Sequence, residues 1–231
     1  MIDIKKRLQS LHNTINQAET QAQRPQNSVQ LLAVSKTWPA ELLRQAANAG
    51  QICFGENYLQ EALIKIKALA DLDLQWHFIG PIQSNKTKDI AQHFSWVQSV
   101  ARIKIAQRLN KQRPDTLPAL NVCVQVNIDD EKTKFGTSAA ELDLLVDEID
   151  QLDRLVLRGL MVIPTKTDNI EQQHSAFQRA HQLFTKLQDQ YPTIDTLSMG
   201  MTADMNSAIT QGSTMIRVGT GIFGQRHTPA E

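Results

Sequence analysis

The stretch that decides the fold is QLLAVSKTWPAELLRQAANAG, residues 30–50, which joins an apolar β-rich run to an amphipathic helical run. The first part, QLLAVSK (30–36), ends at Lys36, as a buried strand does when it reaches the rim of a sheet. The second part begins at Pro39 and ends at Gly50, residue types that favour the start and the end of a helix. The stretch therefore predicts one β-strand followed by one α-helix.

The same order of strand and helix repeats along the chain. Further strands are predicted at 51–55, 74–80, 96–100, 119–128, 155–164, 194–200 and 214–224. Helices are predicted near 58–69, 86–94, 103–113, 138–152, 170–190 and 203–212. Eight parallel strands joined by helices favour a closed barrel. A doubly wound open sheet is the alternative, but the first strand-to-helix turn, AVSKTWP, lacks the glycines typical of that fold.

An additional amphipathic helix precedes the first strand. Its apolar stripe is formed by Ile4, Leu8, Leu11 and Ile15. The predicted fold class is therefore α/β: a single (β/α)8 TIM-type barrel with an extra N-terminal helix, forming one domain over residues 1–231. Within it, Ser138 and Glu141 form a capping-box pattern at the start of a helix, and the tail QRHTPAE is expected to fray.

Composition excludes several classes of function. The formal net charge is +0 and the basic residues are dispersed, so we expect no nucleic-acid partner and no acidic membrane partner. The chain shows no apolar signal-peptide core and no run of about 18 apolar residues, so no membrane span is expected. Cys53 and Cys123 lie in apolar runs without metal-ligand spacing, which indicates reduced core cysteines of a cytoplasmic protein and no metal site. A disulfide between them is the minor alternative.

Lys36 is the first candidate for chemistry. It leaves an apolar strand at the predicted rim, and an apolar environment lowers the pKa of a lysine, which exposes its amine for attack on a carbonyl group. By position alone, a surface lysine that opens a loop is an equally good interpretation.

Two turns rich in small residues follow the last two strands. The segment LSMGMTADM contains Ser198, Gly200 and Met201 before a helix that Thr202 could cap, and RVGTGIFG contains Gly219 and Thr220. Barrels often hold phosphate at these two loops, where backbone N–H groups and a helix N-terminus meet the anion. Ordinary turn chemistry is the alternative for either turn taken alone.

Three further polar residues have two interpretations each. Arg217 interrupts an apolar strand and needs an anionic or acceptor partner, either in a structural ion pair or on a cofactor ring. His77, in WHFIG, is more typical of a satisfied core histidine than of a catalyst. Asn57, in FGENYLQEA, could cap a helix or donate hydrogen bonds at the rim.

Taken together, these segments resemble the pyridoxal phosphate homeostasis protein family, which is related to the N-terminal barrel of alanine racemase. AVSKT, FGENYLQEA, WHFIGPIQSNK, RGLMVIP, LSMGMTADMNSAI and GSTMIRVGTGIFG occur in that order between about Leu31 and Gly224. Gly221 stands where the family motif usually has alanine.

The resemblance implies pyridoxal 5′-phosphate (PLP) as the cofactor, bound as an internal aldimine on Lys36. It implies that the phosphate is held by Ser198, Gly200, Gly219 and Thr220. It further implies that Arg217 faces the pyridine nitrogen, that Asn57 and Met201 line the pocket, and that His77 lies at its floor.

The first hypothesis is a cytoplasmic, monomeric protein that stores or delivers PLP and takes part in vitamin B6 and amino-acid homeostasis, with PLP-dependent apoenzymes as partners. No catalytic residue is assigned, because an arginine at the ring nitrogen weakens the electron sink and neither Tyr58 nor Tyr191 sits at a matching motif. A PLP-dependent racemase or lyase with His77 or Lys86 as base is the second hypothesis. A Schiff-base aldolase is the third.

Overall fold

The computed structural model describes residues 3–131 and 133–225. Its parallel strands close a barrel in which each strand pairs with its neighbour in the chain and the last strand pairs with the first. The strands are β1 (Gln30–Val34), β2 (Cys53–Glu56), β3 (Gln75–Phe78), β4 (Trp96–Val100), β5 (Leu120–Val126), β6 (Leu155–Val162), β7 (Thr196–Ser198) and β8 (Met215–Val218). The predicted (β/α)8 barrel is confirmed.

Helices connect these strands around the outside of the barrel. They are α1 (Ile4–Gln21), α2 (Ala40–Asn48), α3 (Leu59–Ala68), α4 (Thr87–His93), α5 (Ile103–Gln112), α6 (Leu142–Asp150), α7 (Ile170–Gln188), α8 (Met205–Thr210) and α9 (Thr220–Phe223). A short 3₁₀ turn, Ser84–Lys86, precedes α4, so the helix predicted near 86–94 starts in a tighter form.

The extra N-terminal helix is confirmed as α1. Its four apolar stripe residues are all buried. The Asp3 carboxylate accepts the backbone N–H of Lys6 at 2.9 Å and so caps the first turn. Because α1 packs against α2, α8 and α9, it covers the outside of the barrel near the β1–β8 seam.

The alternation of strand side chains decides which residues face the barrel interior. Leu31 belongs to the main core cluster that includes the helices, whereas its neighbour Leu32 packs with Met215 in a separate small cluster. Successive residues of a strand point to opposite faces, so Leu32 and Met215 point inward. Arg217 lies two residues after Met215 and pairs in register with Leu32, which turns its side chain into the barrel as well.

One glycine lets β6 and β7 approach each other. Gly159 has φ of 141°, and a Cβ atom at this position would lie 2.0 Å from the carbonyl oxygen of Thr196. Any larger residue would push β7 away, and β7 ends at Ser198 beside the cavity described below.

The structure corrects several predicted boundaries. Strand β1 ends at Val34, so Lys36 lies in the following turn and not in the strand. The segment predicted as strand over 214–224 is divided, because the Gly219 carbonyl accepts the N–H groups of Ile222 and Phe223 and so starts α9.

Two predicted helix starts are also corrected. Helix α8 begins after Asp204, so Thr202 lies in the preceding turn and does not cap it. The backbone N–H of Glu141 donates to the Ser138 hydroxyl at 3.3 Å, but this contact forms in the turn before α6. Of the tail QRHTPAE, all but Gln225 lies outside the described residues.

Three other features concern membrane spans, metal ligands and cysteines. None of the helices in the described part of the chain is both long and apolar enough to cross a membrane. Over residues 3–131 and 133–225, no group of three His, Cys, Asp or Glu side chains is placed to hold a metal ion. Cys53 and Cys123 are buried and free, as expected for core cysteines.

Candidate functional site

A cavity of about 460 Å³ opens at the carboxyl-terminal ends of the barrel strands. Residues at or just after seven of the strands contribute to its walls, and this is the face where (β/α)8 barrels carry their functional loops. Six of the nine residues singled out in the sequence line it: Lys36, Asn57, Met201, Arg217, Gly219 and Thr220. The other three, His77, Ser198 and Gly200, are buried behind its wall.

Lys36 lies on a tight turn directly after β1. The backbone N–H of Ser35 still donates to the Gly55 carbonyl at 3.0 Å, and the Trp38 N–H closes the turn on the Ser35 carbonyl at 3.1 Å. Thr37 has φ of 69°, a left-handed conformation that a β-branched residue adopts only where the surroundings hold it. The turn therefore presents the half-buried Lys36 side chain to the cavity.

A buried charged cluster beneath this turn is not apparent from the sequence. It consists of Glu56 at the end of β2 and of Lys65 and Glu61 in α3. The Lys65 ammonium lies 2.7 Å from the Glu56 carboxylate and 2.5 Å from the Glu61 carboxylate. Burial raises the pKa of the Glu56 carboxyl, and the Lys65 ammonium opposes that shift. The cluster touches both residues that flank Lys36, because Glu56 accepts from the Ser35 hydroxyl at 2.6 Å and Glu61 from the Thr37 N–H at 2.5 Å.

Arg217 is a buried cation in the cavity wall. Its guanidinium donates to the Ser198 hydroxyl at 2.7 Å and to the Val162 carbonyl at 2.8 Å. Burial lowers the pKa of Arg217 to about 10, so the side chain stays protonated at neutral pH. The site therefore carries a fixed positive charge on the interior face of β8.

Ser198 and His77 belong to a chain of polar contacts that supports Arg217. The Ser198 hydroxyl donates to Gln98 Oε1 at 2.7 Å, and Gln98 Nε2 lies 2.9 Å from His77 Nδ1. The His77 ring stacks on Trp96 with 5.0 Å between centroids. Burial lowers the pKa of His77 to about 3, so the ring is neutral at physiological pH.

This arrangement gives Ser198 and His77 a different placement from the one the resemblance implies. The Ser198 hydroxyl is engaged by Arg217 and Gln98 inside the barrel and does not line the cavity. His77 lies two residues further from the cavity than Ser198 along the same chain of contacts. Gln98 is the link, and the sequence does not predict this role because a glutamine inside an apolar strand has no motif of its own.

Gly200 forms the back of the turn after β7. It is buried with φ of 92°, and a Cβ atom there would lie 2.5 Å from the Cβ of Ala208 in α8. Its carbonyl accepts the backbone N–H of Arg217 at 3.0 Å. Gly200 therefore allows β7, α8 and β8 to approach one another, and Met201, which follows it, lines the cavity.

The two predicted glycine turns meet at one end of the cavity. Residues 201–203 line it from one side, and Gly219 and Thr220 line it from the other. Helix α9 begins at Thr220, and the first N–H groups of a helix have no partner within it. The backbone N–H of Met201 is engaged by the Asp204 carboxylate at 2.6 Å, so this N–H does not serve a ligand.

Asn57 carries a buried polar atom, its side-chain oxygen, that lacks a hydrogen-bond partner among the described residues. A buried polar atom of this kind is costly unless something bonds to it, and Asn57 lines the cavity. The cavity wall therefore contains a lysine amine, an unsatisfied amide and a guanidinium.

Comparison with known proteins identifies the family. Residues 7–227 match the family model described as alanine racemase, N-terminal domain. A pyridoxal phosphate homeostasis protein of Pasteurella multocida (strain Pm70) is 52% identical over 227 residues, covering 96% of this chain and 97% of that protein. The chain belongs to the pyridoxal phosphate homeostasis protein family. The family resemblance seen in the sequence is confirmed.

Solved structures agree with this assignment. PipY of Synechococcus elongatus PCC7942, whose structure was determined with PLP bound, superposes with a TM-score of 0.82 at 38% identity, covering 96% of this chain and 100% of PipY. Alanine racemase of Clostridium difficile 630 superposes with a TM-score of 0.74 at 14% identity, covering 99% of this chain and 58% of the racemase. The second likeness shows a shared barrel fold.

Proposed function

We propose that this chain binds PLP covalently through Lys36 and serves intracellular PLP and amino-acid homeostasis as a carrier or buffer. The observation that carries the proposal is that Lys36 and Arg217 face one cavity at the strand ends of a barrel whose relative PipY is known with PLP bound. When bound, PLP supplies an aldehyde carbon and an electron-withdrawing ring.

The cavity fits such a group. Its volume of about 460 Å³ falls within the range of about 300–1,000 Å³ usual for small-ligand sites. Lys36 would hold the aldehyde carbon through an imine, with loss of one water. Gly219 and Thr220, opposite residues 201–203, would surround the phosphate. The unsatisfied Asn57 amide would take a hydrogen bond from, or after rotation give one to, a ring substituent.

Arg217 favours binding over turnover. A carboxylate facing the pyridine nitrogen would stabilise its protonated form, whereas a guanidinium disfavours a second positive charge. Its charge is fixed in place by the Ser198 hydroxyl and the Val162 carbonyl. Facing the ring nitrogen, Arg217 would therefore keep the ring a weak electron sink.

The described residues that line the cavity offer no group suited to a second proton transfer. Among the described residues that line it, there is no Tyr, His, Asp or Glu side chain. The Tyr191 hydroxyl donates to Asp147, which raises the pKa of Tyr191 to about 12. These contacts support a binding role in preference to a racemase or lyase.

The absorbance spectrum of the protein mixed with PLP tests the proposal. We expect a band characteristic of a protein-bound imine for the unmodified chain and for Lys86→Ala, whose lysine lies outside the cavity lining. Lys36→Ala should show only the spectrum of free PLP. Retention of the imine band by Lys36→Ala would disprove the assignment, and absence of the band in every variant would favour the aldolase alternative.

Exchange of the α-proton of amino acids in heavy water separates a carrier from an enzyme. If the chain is a carrier, it should accelerate this proton exchange no more than free PLP does. Faster exchange that Lys36→Ala abolishes would establish a PLP-dependent enzyme instead.

The proposal extends to the location and oligomeric state of the protein and to the proteins that receive PLP from it. We propose a cytoplasmic monomer that passes PLP to PLP-dependent apoenzymes, supported by the free buried cysteines and by the exposed rim residues Phe135 and Met201 beside the cavity. Sedimentation should give a mass near 26.0 kDa, and mixing with an apoenzyme should restore its activity faster than spontaneous release of PLP allows.

A further inference from the structure

The turn that carries Lys36 is tied down on both sides of the lysine. On one side, the Ser35 carbonyl accepts from the Lys65 ammonium at 2.7 Å, and the Ser35 hydroxyl donates to Glu56 at 2.6 Å. On the other side, the Thr37 backbone N–H donates to Glu61 at 2.5 Å. These contacts hold the two neighbours of Lys36 and leave its side chain directed to the cavity.

All of these contacts converge on one ammonium group. Lys65 bonds to Glu56, to Glu61 and to the Ser35 carbonyl, so its three donors have three acceptors. Its side chain is 4% exposed and that of Glu56 is 0% exposed. A buried ion cluster of this kind is weak support for stability, because removing two charges from water offsets much of their attraction. Its better-attested use is to fix a specific geometry.

The geometry that needs fixing is that of Thr37. This residue has φ of 69°, which is unfavourable for a β-branched side chain. Without the Glu61 acceptor, the turn could relax to a conformation with negative φ at Thr37. Such a change would rotate the adjoining peptide plane and displace the attachment point of the Lys36 side chain.

We propose that Lys65, Glu56 and Glu61 are positioning residues that fix the turn of Lys36, so that its amine is placed for condensation with the aldehyde of PLP. None of the three lines the cavity, and they act through Ser35 and Thr37. The inference rests on the proposed function, because it concerns the same lysine. It adds residues that carry no part of the ligand-binding surface.

Glu61→Ala is the informative variant. The Glu61 side chain is 29% exposed, and its loss leaves the Lys65–Glu56 pair in place, so the fold should persist. Lys65→Met would leave Glu56 buried without its cation and is expected to unfold the chain. Asp71→Asn is the matched control, since it removes the exposed carboxylate partner of Arg44 without touching the Lys36 turn.

Two ligands separate positioning from general damage. PLP condenses with Lys36, whereas pyridoxine 5′-phosphate has the same ring and phosphate but no aldehyde. For Glu61→Ala we expect imine formation, followed by absorbance after rapid mixing, to slow about tenfold. Its dissociation constant for pyridoxine 5′-phosphate should stay within about twofold of the unmodified chain. Glu61→Gln, which keeps an acceptor for the Thr37 N–H, should recover most of the rate.

The outcomes are distinct. Imine formation by Glu61→Ala at the rate of the unmodified chain and of Asp71→Asn would overturn the positioning role and leave the proposed function intact. If Glu61→Ala weakened the binding of both ligands equally, the positioning role would also be overturned, because the cavity itself would then be damaged. If the unmodified chain forms no imine on Lys36, the proposed function fails first.

Discussion

Replacement of Ser198 by alanine separates two roles for this residue. The sequence resemblance implies a phosphate contact, whereas the structure places the hydroxyl between Arg217 and Gln98. In Ser198→Ala, one donor of the Arg217 guanidinium loses its acceptor, and Gln98 Oε1 loses its donor. All three side chains are buried, so water does not replace these bonds.

The magnitude follows from the two lost contacts. A hydrogen bond to a charged group contributes about 1.5–3 kcal/mol, and a buried acceptor left without a donor costs about 1–3 kcal/mol. Allowing for local relaxation, we expect a loss of about 2–4 kcal/mol in the free energy of unfolding. For a chain of this size, this corresponds to a decrease of about 4–8 °C in the melting temperature.

Ser213→Ala is the matched control. Ser213 is another fully buried serine, and its hydroxyl donates to the Met199 carbonyl at 2.7 Å. The Ser213 hydroxyl contacts only neutral backbone groups, so its removal should lower the free energy of unfolding by about 1 kcal/mol. Both variants can be measured by urea denaturation monitored by circular dichroism.

Ligand binding completes the test. If Ser198 acts through Arg217, Ser198→Ala should weaken the binding of pyridoxal and of PLP by a similar factor, about tenfold or less. If Ser198 contacted the phosphate directly, Ser198→Ala would weaken the binding of PLP alone. Equal stability of Ser198→Ala and Ser213→Ala, combined with selective weakening of PLP, would refute the placement of Ser198 behind Arg217.

Three further predictions concern packing, protonation and thiol access. Gly200→Ala should lower the free energy of unfolding by about 2–4 kcal/mol in urea titrations, because a Cβ atom at φ of 92° would meet Ala208; an unchanged midpoint would contradict this. His77 has a folded-state pKa of about 3, below its unfolded value, so it contributes stability above pH 6.5 that is lost as pH falls towards 3. Between pH 7 and pH 5, the free energy of unfolding should fall by about 2 kcal/mol from this cause, and His77→Gln should remove that decrease. If His77→Gln kept the pH dependence of the unmodified chain, the buried neutral ring would be contradicted. Burial raises the pKa of both Cys53 and Cys123, so neither thiol should react with Ellman's reagent until the chain is unfolded, and rapid labelling of the native protein would contradict that burial.

Much of the fold follows from local sequence patterns. Apolar runs that alternate with helical periodicity predict the strands, the helices and the parallel barrel, and the stripe on α1 predicts the extra helix. The exact ends of β1 and β8 do not follow, because the sequence pattern does not show where hydrogen bonding to the neighbouring strand stops. After β8, Ile222 and Phe223 are buried on the short helix α9 and not on a continued strand.

The candidate site is predictable where a motif carries it. Lys36, Arg217 and the two glycine turns stand out because each breaks the pattern of its segment, and the structure brings them to one cavity. Gln98 and the Lys65 cluster do not stand out. Gln98 meets Ser198 across 100 positions of the chain, and such a contact depends on strand register, which periodicity alone does not determine.

The covalent attachment of PLP to Lys36 is the central claim, and reduction with borohydride tests it most directly. Borohydride converts an imine to a stable amine, after which peptide mapping by mass spectrometry locates the modified lysine. We predict that the pyridoxyl phosphate group lies on the peptide containing Lys36 and that Lys36→Ala carries no label at stoichiometric PLP. A label at another lysine in the unmodified chain, with Lys36 unmodified, would contradict the account.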